Sequence, residues 1–448
     1  MAEQAVKAPD QQPKFVEGNL FRHITVMSLT NSVGLMAIFA VDLINMVFIS
    51  MLNQEDITAA VGYAGAILFF TTSFGIGLSI AVSALVARAV GQRNLVMARE
   101  KATNGMILGI GFGIIFAAVV WAFLPGIVSL LGAEGRTHAL TVHFLRIVIP
   151  AQPFLMVGMI GGAILRSHGD AKRAMAATLW GAAANAVLDP ILIFGLHMDL
   201  TGVAIASVVS RIVIAGVSLV PVIRHHGGFD RPSVEGLKAD LAPVYAIAGP
   251  AILTQVATPL GQAMVTRMVS GYGEAAVAGM AIAGRLTPVA LGVIFALSGA
   301  IGPIIGQNYG AGRMDRVSQT FLDGLKFTAI VVAIVTVILF ALRAPIADLF
   351  HAQGLTRDLV CGPLCLLFFF NGAIFMANAA CNNLGKPLMS TLINWGRHTI
   401  GTVPFAWWFS HYWGAQGVLI GQALGGVIFG ILGVWLAYRM ILATPARI

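Results

Sequence analysis

AVSALVARAVGQRN (residues 81–94) returns as AIGPIIGQNYGAGR (residues 300–313), which sets Gly91 on Gly310 at an offset of 219. Further along, GDAKRAM (169–175) is echoed by GKPLM (385–389), Pro190 by Pro404, and GVAIAS (202–207) by GVLIGQ (417–422). The same landmarks recur in the same order, so the chain reads as two copies of one unit. Composition says what kind of unit. Of 448 residues, 58% are hydrophobic and only 10% charged, whereas a soluble protein keeps about a quarter of its residues charged. Such a chain has too little polar surface for water and reads as a polytopic membrane protein. Its 51 glycines and 18 prolines suit membrane helices.

A bilayer core of roughly 30 Å is crossed by about 20 apolar residues in helix. That rule places twelve spans near 24–51, 58–87, 102–131, 138–165, 173–196, 201–223, 242–270, 276–306, 318–342, 358–383, 388–410 and 417–440. Each copy holds six. An even number of spans makes the repeats parallel, related by an axis along the membrane normal. The predicted fold is therefore an all-α membrane protein, twelve transmembrane helices in two six-helix lobes related by a pseudo-two-fold along that normal. The expected divisions are an N-terminal segment 1–23, an N-lobe 24–223, a polar linker 224–241, a C-lobe 242–440 and a tail 441–448. A cleft between the lobes would hold a midplane substrate site.

The formal charge of +8 follows this topology and points to no nucleic-acid partner. Connections on one side carry Arg88, Arg93, Arg99, Lys101, Arg166, Lys172, Arg173, Arg224, Arg231, Lys238, Arg313, Arg316 and Lys386; those opposite hold only Arg136, Arg343 and Arg357. The bias puts both termini and the linker in the cytoplasm. The polar N-terminus lacks the basic stretch and apolar core of a secretory signal. Cys361, Cys365 and Cys381 lie in one apolar stretch and read as packing residues, with no metal spacing.

Carboxylates are the informative side chains. Most lie in termini, connections or last turns; Asp42 and Asp189 do not, and beyond Asp358 there is no acid at all. At 1.5 Å per residue, Asp42 lies about 13 Å and Asp189 about 10 Å from the outer ends of their spans, and Ser207 about 9 Å into the next. Asn185 is one turn from Asp189 and shares its face. Pro190 supplies no N–H and leaves the carbonyl of Ala186 without its helical donor, which predicts a kink beside the carboxylates. Asp42, Asn185, Asp189 and Ser207 thus make a candidate oxygen-rich pocket for a proton or Na⁺. The other reading is that the two aspartates are satisfied by neighbours and fix packing, and that Ser207 bonds its own backbone. Ionisable groups inside a membrane are costly and functional, which favours the ion pocket.

In the second half, Gln255, Thr258, Gln262, Asn371, Asn378, Asn382 and Asn383 either line the cleft or glue helices together. Arg146, Arg211, Arg267 and Arg285 snorkel or bond helix-end carbonyls. Met36, Met46, Met156, Met159, Met264 and Met280 suit an adaptable apolar surface or face lipid. His225 and His226 sit in the linker.

SALVARAVGQRN, AILRSHGDAKRAM, NAVLDPILIFG, GVAIASVVSR and GPIIGQNYGAGRMDR resemble, in order and in both halves, the segments of the multidrug and toxic compound extrusion (MATE) transporters. The resemblance runs from about residue 20 to 440 and is nearest the DinF-like branch. It implies a multi-pass protein of a bacterial inner membrane that exports organic, often cationic, compounds by antiport with H⁺ or Na⁺. It implies no cofactor and no enzymatic activity, a monomer among membrane lipids, and small-molecule cargo. It also implies an ion site on Asp42, Asn185 and Asp189 with a hydroxyl at Ser207, and Na⁺ is a possible occupant of the first three. Where the NorM-like branch adds acids in the seventh and tenth spans, this chain has Thr258 and none, which leaves the N-lobe as the expected coupling site. The alternative is a flippase of the related superfamily for a lipid-linked precursor, which predicts a cation-lined cleft. A membrane-embedded transferase would need a His/Asp or Ser/His/Asp cluster that is not seen, and a scaffold would leave the paired aspartates unexplained.

Overall fold

A computed structural model describes residues 13–52, 54–349, 353–361 and 368–445. Among them there are helices and no strands. The N-lobe consists of α1 (Leu20–Met51), α2 (Glu55–Gly91), α3 (Leu95–Leu130), α4 (Gly135–Val148), α5 (Gln152–Ser167), α6 (Ala171–Pro190) and α7 (Asp199–His225). The C-lobe consists of α8 (Val234–Ser270), α9 (Glu274–Ala290), α10 (Gly292–Gly310), α11 (Met314–Leu349), α12 (Gly354–Cys361), α13 (Phe368–Asn383), α14 (Pro387–His398) and α15 (Val403–Ala443).

Nine described segments are long and apolar enough to cross a bilayer. One of them, Pro387–Ala443, is two crossings: α15 reverses at Gly414, where φ is 55°. The pair α9–α10, joined at Leu291, makes the eighth crossing, and α12 and α13 bracket the tenth, so the architecture is the expected twelve. Cys365 falls outside the described residues, as does the side chain of Cys361; Cys381 is buried. Large apolar side chains such as Ile115, Phe123, Leu130 and Val337 stand exposed, as a lipid-facing surface requires. Trp407, Trp408, Tyr412 and Trp413 form an exposed aromatic band around the α15 reversal, the position of an interfacial belt.

Three crossings are interrupted where the spans were expected to run through. A 3₁₀ turn at Ile149–Ala151 separates α4 from α5. Leu291 separates α9 from α10. Residues 399–402 separate α14 from α15. Prolines at 150, 288 and 404 lie beside these breaks, and each removes a helical N–H. Side-chain caps start the helices on one face: Asn94 accepts from Met97 N, Asp170 from Arg173 N and Ser233 from Gly236 N.

That face carries both chain ends. Leu20 and Ile24 of α1, Val317 and Phe321 of α11, Leu384 of α13 and Met440 and Ile441 of α15 share one buried cluster there. It is called the terminal face below. The lobes meet along it through the repeated motif itself. A Cβ on Gly91 would stand 2.0 Å from the Gln307 carbonyl oxygen, and one on Gly310 would stand 2.1 Å from that of Arg88. Residue 91 meets 307 while 310 meets 88, and both pairs are related by the offset of 219. This is the self-complementary contact of a two-fold axis. Only glycine admits so close a backbone approach.

The same symmetry governs the polar contacts at that face. Arg88 donates to the carbonyls of Asn382 (3.2 Å) and Asn383 (2.7 Å) at the end of α13. Its repeat counterpart Gln307 donates to the Ser167 carbonyl at the end of α5 (2.7 Å). Lys101 on α3 is paired with Asp240 on α8, which is 1% exposed and also accepts from Asn104 at 2.7 Å. Phe15, buried ahead of α1, donates its N–H to the Gln307 side chain (2.9 Å). Lys14 reaches the Gly169 carbonyl (3.0 Å). The farthest contacts named between the lobes are Gly77 against Ile252 and Gly292 against Met36. Gly77 lies fourteen residues from the end of α2, or about 21 Å of helix. The molecule is closed from the terminal face to about mid-membrane.

Candidate functional site

Asp189 lies in the last turn of α6 and is 0% exposed. Neither of its carboxylate oxygens receives a hydrogen bond, and the side-chain oxygens of Asn185 and Asn45 are buried and donorless too. Asn45, on α1, is the side chain that acts directly on the Asp189 carboxylate. Four acceptor oxygens therefore share one buried region, and the one protein amide that approaches the Asp189 carboxylate, that of Asn45, does not reach full hydrogen-bond geometry. A buried polar atom left in that state costs about 1–3 kcal/mol. Four together are retained where something else binds them.

The backbone explains how they meet. Helices α1 and α6 run parallel, and Gly34 of α1 packs on Thr178 of α6. Asn45 facing Asp189 keeps that register of 144 residues. The same register sets Asp42 level with Ala186, between Asn185 and Asp189, and one turn from Asn45 on α1. Asp42 itself is exposed on α1. After Pro190 the chain enters a π-helical turn, Ile191–Gly195, before the positive-φ residues His197 and Asp199 turn it into α7. A π turn beside a site is a frequent functional device, and this one follows directly on Pro190. Ser207 is half-buried on the neighbouring α7. The hydroxyl that ties α7 to α6 is that of Ser210, which donates to the Gly181 carbonyl at 2.8 Å.

In the C-lobe the neutral polar candidates divide. Asn378 accepts from Asn394 (2.9 Å), and Asn382 accepts from Ser390 (3.2 Å), so both join α13 to α14. Gln262 accepts from Gln422 (3.2 Å) and links α8 to α15. Thr258 is exposed and Gln255 half-buried on α8. Asn371 and Asn383 differ, because the side-chain oxygen of each is buried without a donor. Arg211 donates to the Val148 carbonyl (3.2 Å) and Gln152 (3.0 Å) at the α4–α5 break, so it is a bound cation of the kind foreseen.

Three residues of interest were not foreseen. Asn45 is a neutral residue in an apolar span, and its one-turn spacing from Asp42 was the available signal. Arg397 and His398 end α14, ten and eleven residues after Pro387, and a count of charges deep in each span would have found them. The Arg397 Nε and both His398 ring nitrogens are buried without partners.

With this geometry in place, the chain was compared with known proteins. The MatE family model matches residues 32–191 and 250–408, two stretches of almost equal length that take in the fifth and eleventh crossings respectively. The chain is similar to a FAD transporter of Shewanella oneidensis, 30% identical over 92% of this chain and 93% of that protein. It is similar to the multidrug export protein MepA of Staphylococcus haemolyticus, 22% identical over 95% of each. Among solved structures, a MATE protein in complex with MaL6 has a TM-score of 0.90 at 23% identity, covering 96% of this chain and 98% of that one. An outward-facing multidrug resistance MATE transporter of the MOP superfamily has 0.89 at 22%, with the same coverage. At those identities the structural likenesses speak for the fold, and the family match carries the assignment. Two lobes related by a two-fold, a buried acid at a helix break and the paired family match together identify the chain as a member of the MatE family of membrane transporters.

Proposed function

We propose that the protein exports small organic molecules by antiport with H⁺ or Na⁺, and that the ion is carried at Asp189 with Asn45, Asn185 and Asp42 around it. The carrying observation is the buried Asp189 carboxylate, both of whose oxygens lack donors, beside two further donorless oxygens. A Na⁺ ion uses all four as ligands; a proton on Asp189 turns one acceptor into a donor for the amides. No resident cofactor takes part. The basic residues around the terminal face, Arg88, Arg93, Arg99, Lys101, Arg313 and Arg316 among them, make it the cytoplasmic one. The described state is then the one closed to the cytoplasm.

Binding of the outside ion neutralises the buried charge, and the α6 break at Pro190 supplies a hinge through which the N-lobe reshapes its cleft wall. Cargo leaves outward. The lobes then part along the Gly91–Gly310 seam and close on the other side. One charge moving through 100 mV supplies about 2.3 kcal/mol, so one or two ions sustain a cargo gradient of about fiftyfold to about two-thousandfold. The cargo class includes organic cations; the relative MepA is a multidrug export protein, and a flavin cargo like that of the Shewanella FAD transporter is within reach of the same cleft. A single chain contains both lobes and the whole cycle, so the working unit is a monomer in contact with lipid. Proteoliposomes with Na⁺ and H⁺ gradients imposed separately test this: one gradient drives efflux of an ethidium-type cation, and Asp189→Asn removes that dependence. Efflux indifferent to both gradients would refute it.

A further inference from the structure

Each lobe interrupts its fifth helix, and each interruption has a charge beside it. In the N-lobe, Asn185 and Asp189 precede Pro190 by five residues and one. In the C-lobe, Arg397 and His398 precede the matching Pro404 by seven and six, just before the break at 399–402. The two lobes carry opposite signs there, at different depths along the helix.

Arg397 points into the C-lobe. A Cβ built on Gly426 of α15 would lie 4.0 Å from its Nε and 3.9 Å from the Asn371 side-chain oxygen of α13, so three helices surround the guanidinium. Its Nε is buried with no acceptor. Helices α13, α14 and α15 contain no acidic residue, and no ion pair reaches it among the described residues. Its start-to-site distance of ten residues from Pro387 is about 15 Å of helix, near mid-membrane. His398 is 4% exposed, packs against Gly261 of α8, and has neither ring nitrogen partnered. Arg88 and Arg211, by contrast, bond helix-end carbonyls. An unmatched guanidinium in a membrane interior is costly unless an anion joins it. A Cβ at 426 would stand in ordinary contact with both groups, so glycine leaves the space before them open and a branched side chain there would fill it.

We propose that Arg397, flanked by His398 and Asn371, is a C-lobe subsite for the acidic group of the exported molecule, a carboxylate or a phosphate. The inference rests on the exporter reading and extends its cargo from cations to zwitterions and anions. The guanidinium fork suits either group by paired charge-assisted hydrogen bonds. The ion is then handled in one lobe and the acid group of the cargo in the other.

The test compares two probes that differ by one phosphate, flavin mononucleotide and riboflavin. Equilibrium binding is measured by flavin fluorescence on the full-length protein in phosphatidylcholine nanodiscs, without any gradient. The native protein binds the phosphorylated flavin about tenfold or more tightly than riboflavin. Arg397→Gln lowers the first to the level of the second and leaves riboflavin within about twofold; Arg397→Lys keeps part of the preference. Gly426→Val retains the charge but fills the space before it, and it lowers the preference as well, which decides the matter should the glutamine variant not fold. Equal binding of the two flavins, no binding of the phosphorylated one, or a preference that survives Arg397→Gln or Gly426→Val overturns the proposal. A lipid headgroup is the other source of such an anion. In discs containing phosphatidylglycerol, native mass spectrometry that shows Arg397-dependent lipid which the phosphorylated flavin cannot displace would overturn the cargo assignment, and displacement supports it. Because binding is read at equilibrium, a failure of gradient-driven export leaves this result standing, and a failure of the subsite leaves export standing.

Discussion

Asp189 has no donor on either carboxylate oxygen, and an isosteric change therefore separates charge from shape. Asp189→Asn fits the same space, cannot ionise, and supplies an N–H to its oxygen-rich surroundings. The expected outcome is a folded protein with an unchanged or slightly raised melting temperature and efflux reduced by at least about tenfold, measured in vesicles under an imposed ion gradient. Asn45→Leu keeps the carboxylate but deletes the amide that acts on it. It is expected to shift the ion concentration for half-maximal efflux by about tenfold, again read as transport against ion concentration. The acids themselves were legible from sequence, because a carboxylate seven to nine residues from the nearer end of an apolar run has no cheap structural explanation. Asn45 was not, since a neutral amide in a membrane helix serves equally well as interhelical glue, and only its register against α6 singles it out. Arg397 was hidden for a similar reason: a cation in a span is first credited to snorkelling, and burial alone shows that it does not snorkel.

At the scale of the element, the breaks matter more than the helices. Pro190 and the π turn at Ile191–Gly195 let α6 bend immediately beyond Asp189. Pro190→Ala restores an N–H and favours a continuous helix. It is expected to slow efflux by about tenfold while ion binding at Asp189 stays within a few fold, a split seen by measuring turnover and ion affinity separately. The seal at the terminal face has its own handle. Asp240 is buried against Lys101 and Asn104, and Asp240→Ala strands a lysine side chain that is only 23% exposed. Removing one partner of a buried pair costs 3–5 kcal/mol; with this partial exposure about 2 kcal/mol is expected, visible as a fall of several degrees in melting temperature. The helix irregularity at Pro190 could be read from sequence because proline's missing N–H fixes its position. The breaks at 149–151, 291 and 399–402 could not, because proline tolerated within a membrane helix and proline beside a full interruption look alike until neighbouring helices choose between them.

Over the whole molecule, the repeat of 81–94 in 300–313 proved to be the contact that holds the lobes together. Gly91 and Gly310 each press on the other copy's backbone, so a motif visible as an internal echo is also the seam that must open. Gly310→Val would set a side chain against the Arg88 carbonyl. It is expected to widen the distance between spin labels on α3 and α11 at the terminal face, measured by pulsed electron resonance. Fold class and crossing number were readable because hydropathy and period act on every residue. Which lobe face meets which was not, because that depends on side-chain packing between copies. The central claim is that a buried acid in the N-lobe ties cargo export to an ion gradient. Its most direct measurement is cargo efflux from proteoliposomes in which the Na⁺ or H⁺ gradient is imposed and then collapsed, with native protein and Asp189→Asn side by side. The account predicts efflux that stops on collapse in the native protein and is absent in the variant; equal, gradient-dependent efflux from both would contradict it.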